Sequence, residues 1–415
     1  MSFTKQFKCT QCGQTYPISK DILVCPNCKD QGILDIEYDY EKIKGIMTKD
    51  YFANNNHYSI WRYLPLLPVE EKYTKNTLRV GWTPLYKSMH LKNIYHVKEL
   101  YFKDEGLNPT QSLKDRASVI ACVKALEAKQ DTVACSSTGN AASSLAGNAS
   151  KMGLKTVIFV PKRAPIGKLS QLMIFGSKLI KVNGDYKDAY NLSKKAIEHY
   201  GWYNRNAAIN PNLIEGKKTV ALEISEQMNF DIPDWVITSV GDGCTIGGVY
   251  KGFYDLYQLG LINQIPKILG VQSEGCSPFY DAFHKGLPLE ETDENTIADS
   301  IAVGIPRNPI KGINAVKFSK GTYVKVSDDE IKDSMKLLGK EEGIFAEPAA
   351  AASLAGFIKA RHADIILKKD RVVVIITGNG LKDTKNALEI VGEPVLLDAN
   401  LKDLIQYIER GERNE

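Results

Sequence analysis

Four loops and one cysteine cluster hold the residue types that could do chemistry in this chain. The first loop, residues 108–116, reads Asn-Pro-Thr-Gln-Ser-Leu-Lys-Asp-Arg. Its Lys114 is predicted on the first turn of a helix entered through a proline turn, where an amine could form a Schiff base with a carbonyl compound. The second loop, residues 136–140, reads Ser-Ser-Thr-Gly-Asn. It places hydroxyls and backbone N–H groups at a predicted helix N-terminus, which suits a carboxylate.

The other two loops follow predicted strands. Residues 241–248 read Gly-Asp-Gly-Cys-Thr-Ile-Gly-Gly and run from a strand into a helix, a pattern that predicts a nest of N–H groups for a phosphate. Residues 377–380 read Thr-Gly-Asn-Gly and place a hydroxyl at a strand end. Taken singly, a glycine-rich turn is more often a tight connection, and a lysine on a helix is usually only solvated. The absence of G-x-x-x-x-G-K-[ST], and of G-x-G-x-x-G with a later acid, argues against NTP and NAD.

Four of the eight cysteines form two C-x-x-C pairs near the N-terminus: Cys9 with Cys12, and Cys25 with Cys28. Two such pairs in a reducing compartment predict a tetrahedral zinc site, and four cysteine ligands would leave no open position, so the metal would be structural. The alternative is a set of structural thiols, or a site that has lost its metal. The remaining cysteines are predicted to be small buried hydrophobic residues: Cys122, Cys135, Cys244 and Cys276.

Composition limits the class of protein. The chain has 415 residues, 43% hydrophobic and 25% charged, which predicts two or three globular domains and excludes collagen, disordered and disulfide-scaffold proteins. The 53 basic and 49 acidic residues form no basic stripe, so no nucleic-acid partner is expected. Apolar runs such as residues 372–376 are too short to span a bilayer, and residues 1–5 lack the apolar segment of a secretory signal. These features predict a cytoplasmic protein.

Strands and helices are predicted to alternate from about residue 85, which indicates an α/β fold. Continuous Val/Ile-rich runs separated by helices predict parallel sheets covered on both faces, in two doubly wound domains with the site at the carboxyl ends of the strands. The predicted strands are 132–136, 156–160, 178–182, 235–240, 267–272, 323–326 and 372–377; the predicted helices are 140–152, 167–175, 186–200, 247–259, 328–342 and 348–361.

The predicted domains follow from these elements. A zinc ribbon is expected at 1–40, an aromatic N-terminal arm at 41–84, a large domain at 85–130 and 204–395, a small domain inserted at 131–203, and a charged tail at 396–415.

Together the motifs resemble threonine synthase and its relatives among the fold type II pyridoxal-phosphate (PLP) enzymes. The resemblance covers most of the chain in family order. It runs from the cysteine pairs through Thr83-Pro84-Leu85, the lysine loop, the Ser-Thr-Gly-Asn loop, Glu215-Gly216-Lys217-Lys218-Thr219 and Glu347-Pro348-Ala349 to Thr377-Gly378-Asn379-Gly380-Leu381-Lys382-Asp383. It implies the fold of the tryptophan synthase β-like enzymes, PLP and structural zinc as cofactors, a small amino-acid substrate and a homodimer.

The resemblance also implies roles for the loop residues. Lys114 would hold PLP as a Schiff base and later act as the acid and base at Cα and Cβ. Asn140 would hydrogen-bond the phenolic oxygen of PLP, and Thr377 would face the pyridine nitrogen. The substrate carboxylate would bind Ser137, Thr138 and Gly139 together with Asn140. The cofactor phosphate would lie in a loop of mainly backbone N–H groups: Gly241, Asp242, Gly243, Cys244 and Thr245.

Some positions depart from threonine synthase. The family typically has an arginine where this chain has Leu213, polar residues at Ala207 and Ala208, a hydroxyl at Ala141 and an asparagine at Asp242. These changes remove donors for a substrate phosphate, so they predict a substrate other than O-phosphohomoserine. Residues nearby in sequence could compensate: Lys162, Arg163 and Arg205. We also hypothesise that Asp242 selects a polar or cationic substrate side chain.

The leading functional prediction is PLP-dependent elimination or replacement at Cβ or Cγ of a non-phosphorylated or differently activated amino acid. The alternatives are threonine synthase itself, which converts O-phosphohomoserine and water to threonine and phosphate, and a serine/threonine deaminase or a β-replacement synthase of the cysteate synthase kind. A non-catalytic PLP-binding protein is a further class, but the presence of Lys114 and of every cofactor loop argues against it.

Overall fold

The computed structural model describes residues 3–411 except 20–21, 30–31, 163–165, 185, 207–208 and 287. Among these residues the strands form three sheets. The strands are β1 Thr4–Cys9, β2 Thr15–Tyr16, β3 Leu34–Tyr38, β4 Leu85–Lys87, β5 Glu99–Asp104, β6 Thr132–Ser136, β7 Lys155–Pro161, β8 Lys178–Val182, β9 Tyr203–Asn204, β10 Trp235–Ser239, β11 Lys267–Ser273, β12 Thr322–Val326 and β13 Arg371–Ile376.

The helices alternate with the strands from α3 to α8, whereas several of the later helices follow one another directly. They are α1 Tyr40–Lys44, α2 Lys49–Asn54, α3 His90–Ile94, α4 Lys114–Glu127, α5 Asn140–Lys151, α6 Ile166–Ile174, α7 Tyr186–Tyr200, α8 Pro211–Lys217, α9 Thr219–Gln227, α10 Cys244–Gln258, α11 Pro278–Lys285, α12 Pro309–Phe318, α13 Asp328–Leu337, α14 Pro348–His362, α15 Thr384–Val391 and α16 Leu401–Gly411. No helix in the described ranges is long and apolar enough to cross a membrane.

The large sheet has six strands in the order β12-β11-β10-β13-β5-β4, all parallel except the β4–β5 pair. Successive residues of its central strands face opposite sides. In β13, Val373 and Ile375 join one core cluster, whereas Val372, Val374 and Ile376 join the other. Since both faces are buried, the strand needs a continuous apolar run. The predicted α/β fold with parallel sheets is therefore confirmed.

The smaller sheet has four parallel strands in the order β8-β7-β6-β9. Its strands lie within residues 132–204. The third sheet is the antiparallel ribbon β2-β1-β3, which holds the cysteine pairs. The exact domain boundaries predicted from the sequence stay a prediction.

Most predicted elements are present with small shifts at their ends. The helix predicted from Gly247 begins three residues earlier, at Cys244, because Gly243 adopts a left-handed conformation (φ 83°) that ends the turn at once. The arm predicted as irregular contains the short helices α1 and α2 and a 3-10 segment at Ile60–Leu66. Helices α8 and α9 were not anticipated, and both pack beside the site.

Candidate active site

Lys114 is the first residue of α4, at the carboxyl end of β13. The residues before it are tied to the loop that follows that strand. The Leu113 N–H donates to the Thr377 carbonyl (2.9 Å), and the Asn379 N–H donates to the Gln111 carbonyl (3.1 Å). Two of the loops singled out in the sequence therefore lie side by side, and Lys114 emerges between them.

Asp115 holds the turn that precedes Lys114. Its carboxylate accepts hydrogen bonds from the Thr110 N–H (2.8 Å), the Thr110 hydroxyl (2.8 Å) and the Asn148 amide (2.7 Å). Burial raises the pKa of Asp115 to about 6. The Asp of the Lys-Asp-Arg motif thus positions the helix start and joins it to α5.

Arg116 anchors the same turn from inside the protein. Its guanidinium pairs with Glu105 (Nε–Oε2 2.6 Å) and Glu223 (Nη1–Oε1 2.6 Å), and all three side chains are fully buried. Lys103, also fully buried, pairs with Glu223 (2.8 Å). Two cations and two carboxylates therefore form a charge-balanced group beneath Lys114, linking β5, α4 and α9.

Lys114 itself is partly exposed and makes no hydrogen bond or ion pair with any residue that the structure describes. Desolvation lowers its pKa, and the charge of Arg205 lowers it further, while Cys244, Asp242 and Glu347 act in the opposite direction. A desolvated amine without a partner favours the neutral form, which is the form that a lysine needs to react with a carbonyl compound.

Two helix N-termini without side-chain caps face this region. Gly139 is the N-cap of α5 and Gly243 the N-cap of α10, and neither helix has a capping side chain. A Cβ on Gly243 would lie 2.6 Å from the Asn308 carbonyl oxygen, so only glycine fits there. A Cβ on Gly139 would have no other atom within 4 Å. Uncapped N-termini leave N–H groups free for anions.

The predicted carboxylate loop is partly exposed at Ser137, Thr138 and Gly139. The Ser137 hydroxyl accepts a hydrogen bond from the Gly139 N–H (3.2 Å). Thr245 and Thr377 are partly exposed as well. These loops follow the ends of β6, β10 and β13, so their residues lie at the carboxyl edges of the two parallel sheets. The individual binding roles of these residues remain proposals.

The Asp242 carboxylate faces the loop before α12. It accepts a hydrogen bond from the Arg307 N–H (3.2 Å), and the Asp242 carbonyl accepts one from the Asn308 N–H (3.1 Å). These contacts give Asp242 a role in holding this loop against the glycine turn. Selection of a substrate side chain by Asp242 stays a prediction.

Glu347 is a site residue whose role the sequence does not predict. The Asn140 amide donates to its carboxylate (2.8 Å) and to the Ser300 hydroxyl (3.3 Å). Burial raises the pKa of Glu347. Since Glu347 orients Asn140 at the start of α5, it fixes the amide that is expected to meet the cofactor.

A cavity of about 290 Å³ opens beside the α5 N-terminus. Lys382 lies at its wall, where its ammonium donates to the Ser143 hydroxyl (3.0 Å) and to the Gln171 side chain (3.3 Å). The other lining residues include Thr138, Gly139, Asn140, Asp299, Ser300 and Glu347. The cavity is large enough for a small amino acid and joins the predicted carboxylate loop to residues of the larger sheet.

Leu213 contributes no polar group to the site. Its side chain is fully buried in the hydrophobic cluster formed with α4 and β6. Ala141 follows Asn140 on the first turn of α5. Ala207, Ala208 and Arg163 lie outside the described residues, and Lys162 is exposed. Neither Leu213 nor Ala141 supplies a side-chain donor here, and the predicted departure from the family at these positions stays a prediction.

The four N-terminal cysteines come together as predicted. The sulfur atoms of Cys9, Cys12, Cys25 and Cys28 all lie within 4.8 Å of one another. This spacing is compatible with a four-cysteine zinc site. The ribbon that holds them is tied to the larger body: the Lys311 ammonium donates to the Leu34 carbonyl (2.8 Å), and the Tyr38 hydroxyl donates to Glu215 (2.7 Å).

Comparison with known proteins identifies the family. Residues 77–378 match the family described as "Pyridoxal-phosphate dependent enzyme". The chain is 38% identical over 400 residues to threonine synthase of Methanocaldococcus jannaschii, covering 96% of this chain and 98% of that one. It is also 38% identical over 404 residues to threonine synthase of Methanosarcina acetivorans (97% and 98%). The chain belongs to the threonine synthase family of PLP-dependent enzymes. It is accordingly a PLP-dependent lyase or synthase.

Solved structures agree on the fold. Diaminopropionate ammonia lyase from Escherichia coli aligns with a TM-score of 0.65 at 22% identity, covering 79% of this chain and 93% of that one. Threonine deaminase isoform 2 from Solanum lycopersicum aligns with a TM-score of 0.64 at 22% identity (75% and 83%). The fold type II assignment made from the motifs is confirmed.

The described residues fit PLP. The amine of Lys114 has no partner among the described residues, and the N-terminus of α10 has no side-chain cap. The buried Ser112 hydroxyl, two residues before Lys114, lacks a hydrogen-bond partner among the described residues. The amine can bond to the aldehyde of the cofactor, the uncapped helix N-terminus can bind its phosphate, and the hydroxyl can form a further hydrogen bond.

Proposed function

We propose that this protein catalyses elimination or replacement at Cβ or Cγ of a small amino acid, with Lys114 as the residue that binds PLP and transfers protons. The observation that carries the proposal is the partly buried, unpartnered amine of Lys114 between two uncapped helix N-termini. When bound, PLP supplies an electron sink that makes the hydrogen on Cα acidic.

The residues around Lys114 have distinct proposed tasks. The N-terminus of α5 binds the substrate carboxylate, and Asn140, oriented by Glu347, contacts the phenolic oxygen of the cofactor. The N-terminus of α10 binds the cofactor phosphate through the N–H groups of the glycine turn. The desolvated Lys114 amine moves a proton at Cα, because its lowered pKa favours the neutral form.

For the substrate we propose an amino acid other than O-phosphohomoserine. The support is the core position of Leu213 and the lack of a hydroxyl at Ala141, since both positions lack the donors expected for that phosphate. The second candidate is threonine synthase itself. The observation that favours it is the 38% identity to two threonine synthases over nearly the whole chain.

A substrate panel separates the two candidates. PLP-loaded protein is mixed with O-phosphohomoserine, serine, threonine, O-phosphoserine, O-acetylserine, homoserine and O-acetylhomoserine, while cofactor absorbance, phosphate and ammonia are followed. Turnover of another amino acid, without threonine formation from O-phosphohomoserine, is the expected result. Efficient release of threonine and phosphate would establish the second candidate instead.

Two lysine variants test the reaction class. Lys114→Ala should abolish turnover of every substrate, whereas Lys151→Ala, at an exposed position on α5, should leave turnover unchanged. Retained turnover in Lys114→Ala would refute the assignment.

A further inference from the structure

Helix α12 lies between the cysteine ribbon and the glycine turn that is expected to bind the cofactor phosphate. The two residues before its first residue, Pro309, contact that turn. The Arg307 N–H donates to the Asp242 carboxylate (3.2 Å), and the Asn308 N–H donates to the Asp242 carbonyl (3.1 Å). The Asn308 amide also donates to the Cys244 sulfur (3.6 Å), and the Asn308 side chain is fully buried. The start of α12 therefore fixes the position of the glycine turn.

Lys311, on the first turn of α12, reaches the ribbon. Its side chain is buried, and its ammonium donates to the Leu34 carbonyl (2.8 Å) and pairs with Asp35. Both partners belong to β3, the strand that follows the last cysteine of the ribbon. A buried ammonium needs such acceptors, because the loss of its hydration is otherwise uncompensated. These two contacts form a tether between α12 and β3.

The tethered helix packs directly on α10. A Cβ on Gly247, the fourth residue of α10, would lie 3.1 Å from the Lys311 Cβ. A Cβ on Gly243 would lie 2.6 Å from the Asn308 carbonyl oxygen. Lys311 is three residues after Asn308, a rise of roughly 4.5 Å along a helix. A change in the tether would therefore act within one helical turn of the glycine turn.

The lysine on α8 that packs against α10 differs from Lys311. Lys217 is 3% exposed, and a Cβ on Gly248 would lie 3.1 Å from its Cβ. Lys217 has no hydrogen bond or ion pair within the described ranges, so it ties α10 to no other element. Of these two buried lysines, Lys311 alone holds a second element in place.

The ribbon and the two helices also share one hydrophobic core. Phe7 and Ile36 of the ribbon join the same cluster as Ile246 of α10 and Ala315 of α12. Apolar burial is not directional, whereas a hydrogen bond from a charged group has a preferred geometry. The core therefore keeps the ribbon against the helices, and the tether sets the position of α12 on the ribbon.

We propose that Lys311 is a positioning residue through which the ribbon keeps the glycine turn in the geometry that binds the cofactor phosphate. This inference rests on the proposed function, because it takes the N-terminus of α10 as the phosphate site. With α12 fixed, the N–H groups of the turn need no further ordering when the cofactor binds. Without the tether, part of the binding free energy orders the turn. The affinity for PLP then falls although no group that contacts the cofactor has changed.

Titration of the apoprotein with PLP tests the tether. Lys311→Met keeps most of the aliphatic stem and removes the ammonium, and it should weaken PLP binding about tenfold, the equivalent of one charge-assisted hydrogen bond. In the PLP-loaded variant, the phosphorus NMR resonance of the cofactor should move towards its position in free PLP. A loss of stability elsewhere in the protein would not move that resonance. Lys317→Met, at an exposed position on the same helix, is the control and should match the natural protein.

A charge reversal on the ribbon tests whether Lys311 acts through it. Asp35→Lys places a second ammonium beside that of Lys311, at a partly exposed position, and should weaken PLP binding about threefold. In the Lys311→Met background, the same change should alter the affinity by less than about twofold, because the tether is already absent. Lys311→Arg keeps the charge and the donors at this end of the side chain, so it should recover most of the PLP affinity.

Three results would overturn the inference. They are a PLP affinity within about twofold of the natural protein in Lys311→Met, an unmoved phosphorus resonance in that variant, and an equal effect of Asp35→Lys with and without Lys311. A Lys311→Met protein that loses stability but not PLP affinity gives the first of these results. Failure of the proposed function is seen separately, because the natural apoprotein would then take up no PLP, and the inference would fall with it.

Discussion

Removal of Arg116 tests how the chain holds Lys114 in place. Arg116→Met leaves Glu105 and Glu223 in the core with Lys103 as their single cation. Removing one partner of a buried ion pair typically lowers the free energy of unfolding by about 3–5 kcal/mol, because an uncompensated charge remains. We expect the free energy of unfolding to fall by that amount at pH 7.

A second variant separates charge balance from packing. Arg116→Met with Glu105→Gln leaves Lys103 opposite Glu223, one cation and one carboxylate. The double variant should therefore be more stable than Arg116→Met alone, by about 1 kcal/mol or more. The assay is urea unfolding of the apoprotein, followed by tryptophan fluorescence. Lys155→Met, which breaks an exposed pair with Asp131, is the control and should match the natural protein within error.

The same network predicts a pH dependence. Although burial opposes ionisation, the charges of Arg116 and Lys103 lower the pKa of Glu223 to about 2. Stability from this carboxylate is complete above its unfolded pKa of about 4.3 and is lost as the pH falls from there towards 2. Arg116→Met should show a shallower loss over that range. A change in unfolding free energy below about 1 kcal/mol, or a double variant no better than the single one, would refute this reasoning.

Three further predictions concern the glycine turn, the metal and Lys217. Gly153→Ala should lose about 1 kcal/mol of stability, since Gly153 has a positive φ of 72° and open space around its Cβ position. Gly243→Ala should lose more, since its φ is 83° and its Cβ would lie 2.6 Å from the Asn308 carbonyl oxygen. Only Gly243→Ala should also lose PLP affinity in apoprotein titrations, because its Cβ meets the Asn308 carbonyl, and an equal loss in both would contradict the proposed cradle. Removal of zinc with a chelator should detach the ribbon and break the hydrogen bond from Lys311 to the Leu34 carbonyl. The free energy of unfolding, measured by thermal unfolding, should fall by about 2 kcal/mol. An unchanged melting temperature would show that the ribbon is independent of the metal. Lys217→Met should stabilise the apoprotein below pH 8. The pKa of Lys217 in the folded protein is about 8, below that of an exposed lysine, so burying its charged form destabilises the fold. The advantage of the variant, up to about 3 kcal/mol, should vanish between pH 8 and 10.5. The charged and ionisable groups that act on Lys217 are Cys244, Lys114, Arg205 and Asp242. A constant difference between the two proteins across that range would contradict the buried, unpaired state of Lys217.

Much of the fold follows from local pattern. The runs at β10 and β13 are apolar throughout because both faces are covered, and this signal is independent of the rest of the chain. The turn before Lys114 was also foreseeable, since its motif contains the residues that make the turn.

The buried charges were not foreseeable in the same way. Lys103, Glu223 and Lys217 are indistinguishable in sequence from solvated residues, and only the packing of the folded chain removes them from water. Glu347 could have been found as the residue before the Pro348 helix start in a family motif, but its contact with Asn140 spans 207 residues of sequence. The sequence shows Arg205 only as a neighbour of Leu213, because no local pattern indicates which cations lack partners.

Identification of the lysine that binds PLP is the most direct test of the role proposed for Lys114. PLP-loaded protein is reduced with borohydride, which fixes the cofactor to its lysine as a stable secondary amine, and the labelled peptide is mapped by mass spectrometry. We expect the label on Lys114. A label on Lys217 or on any other lysine would contradict it.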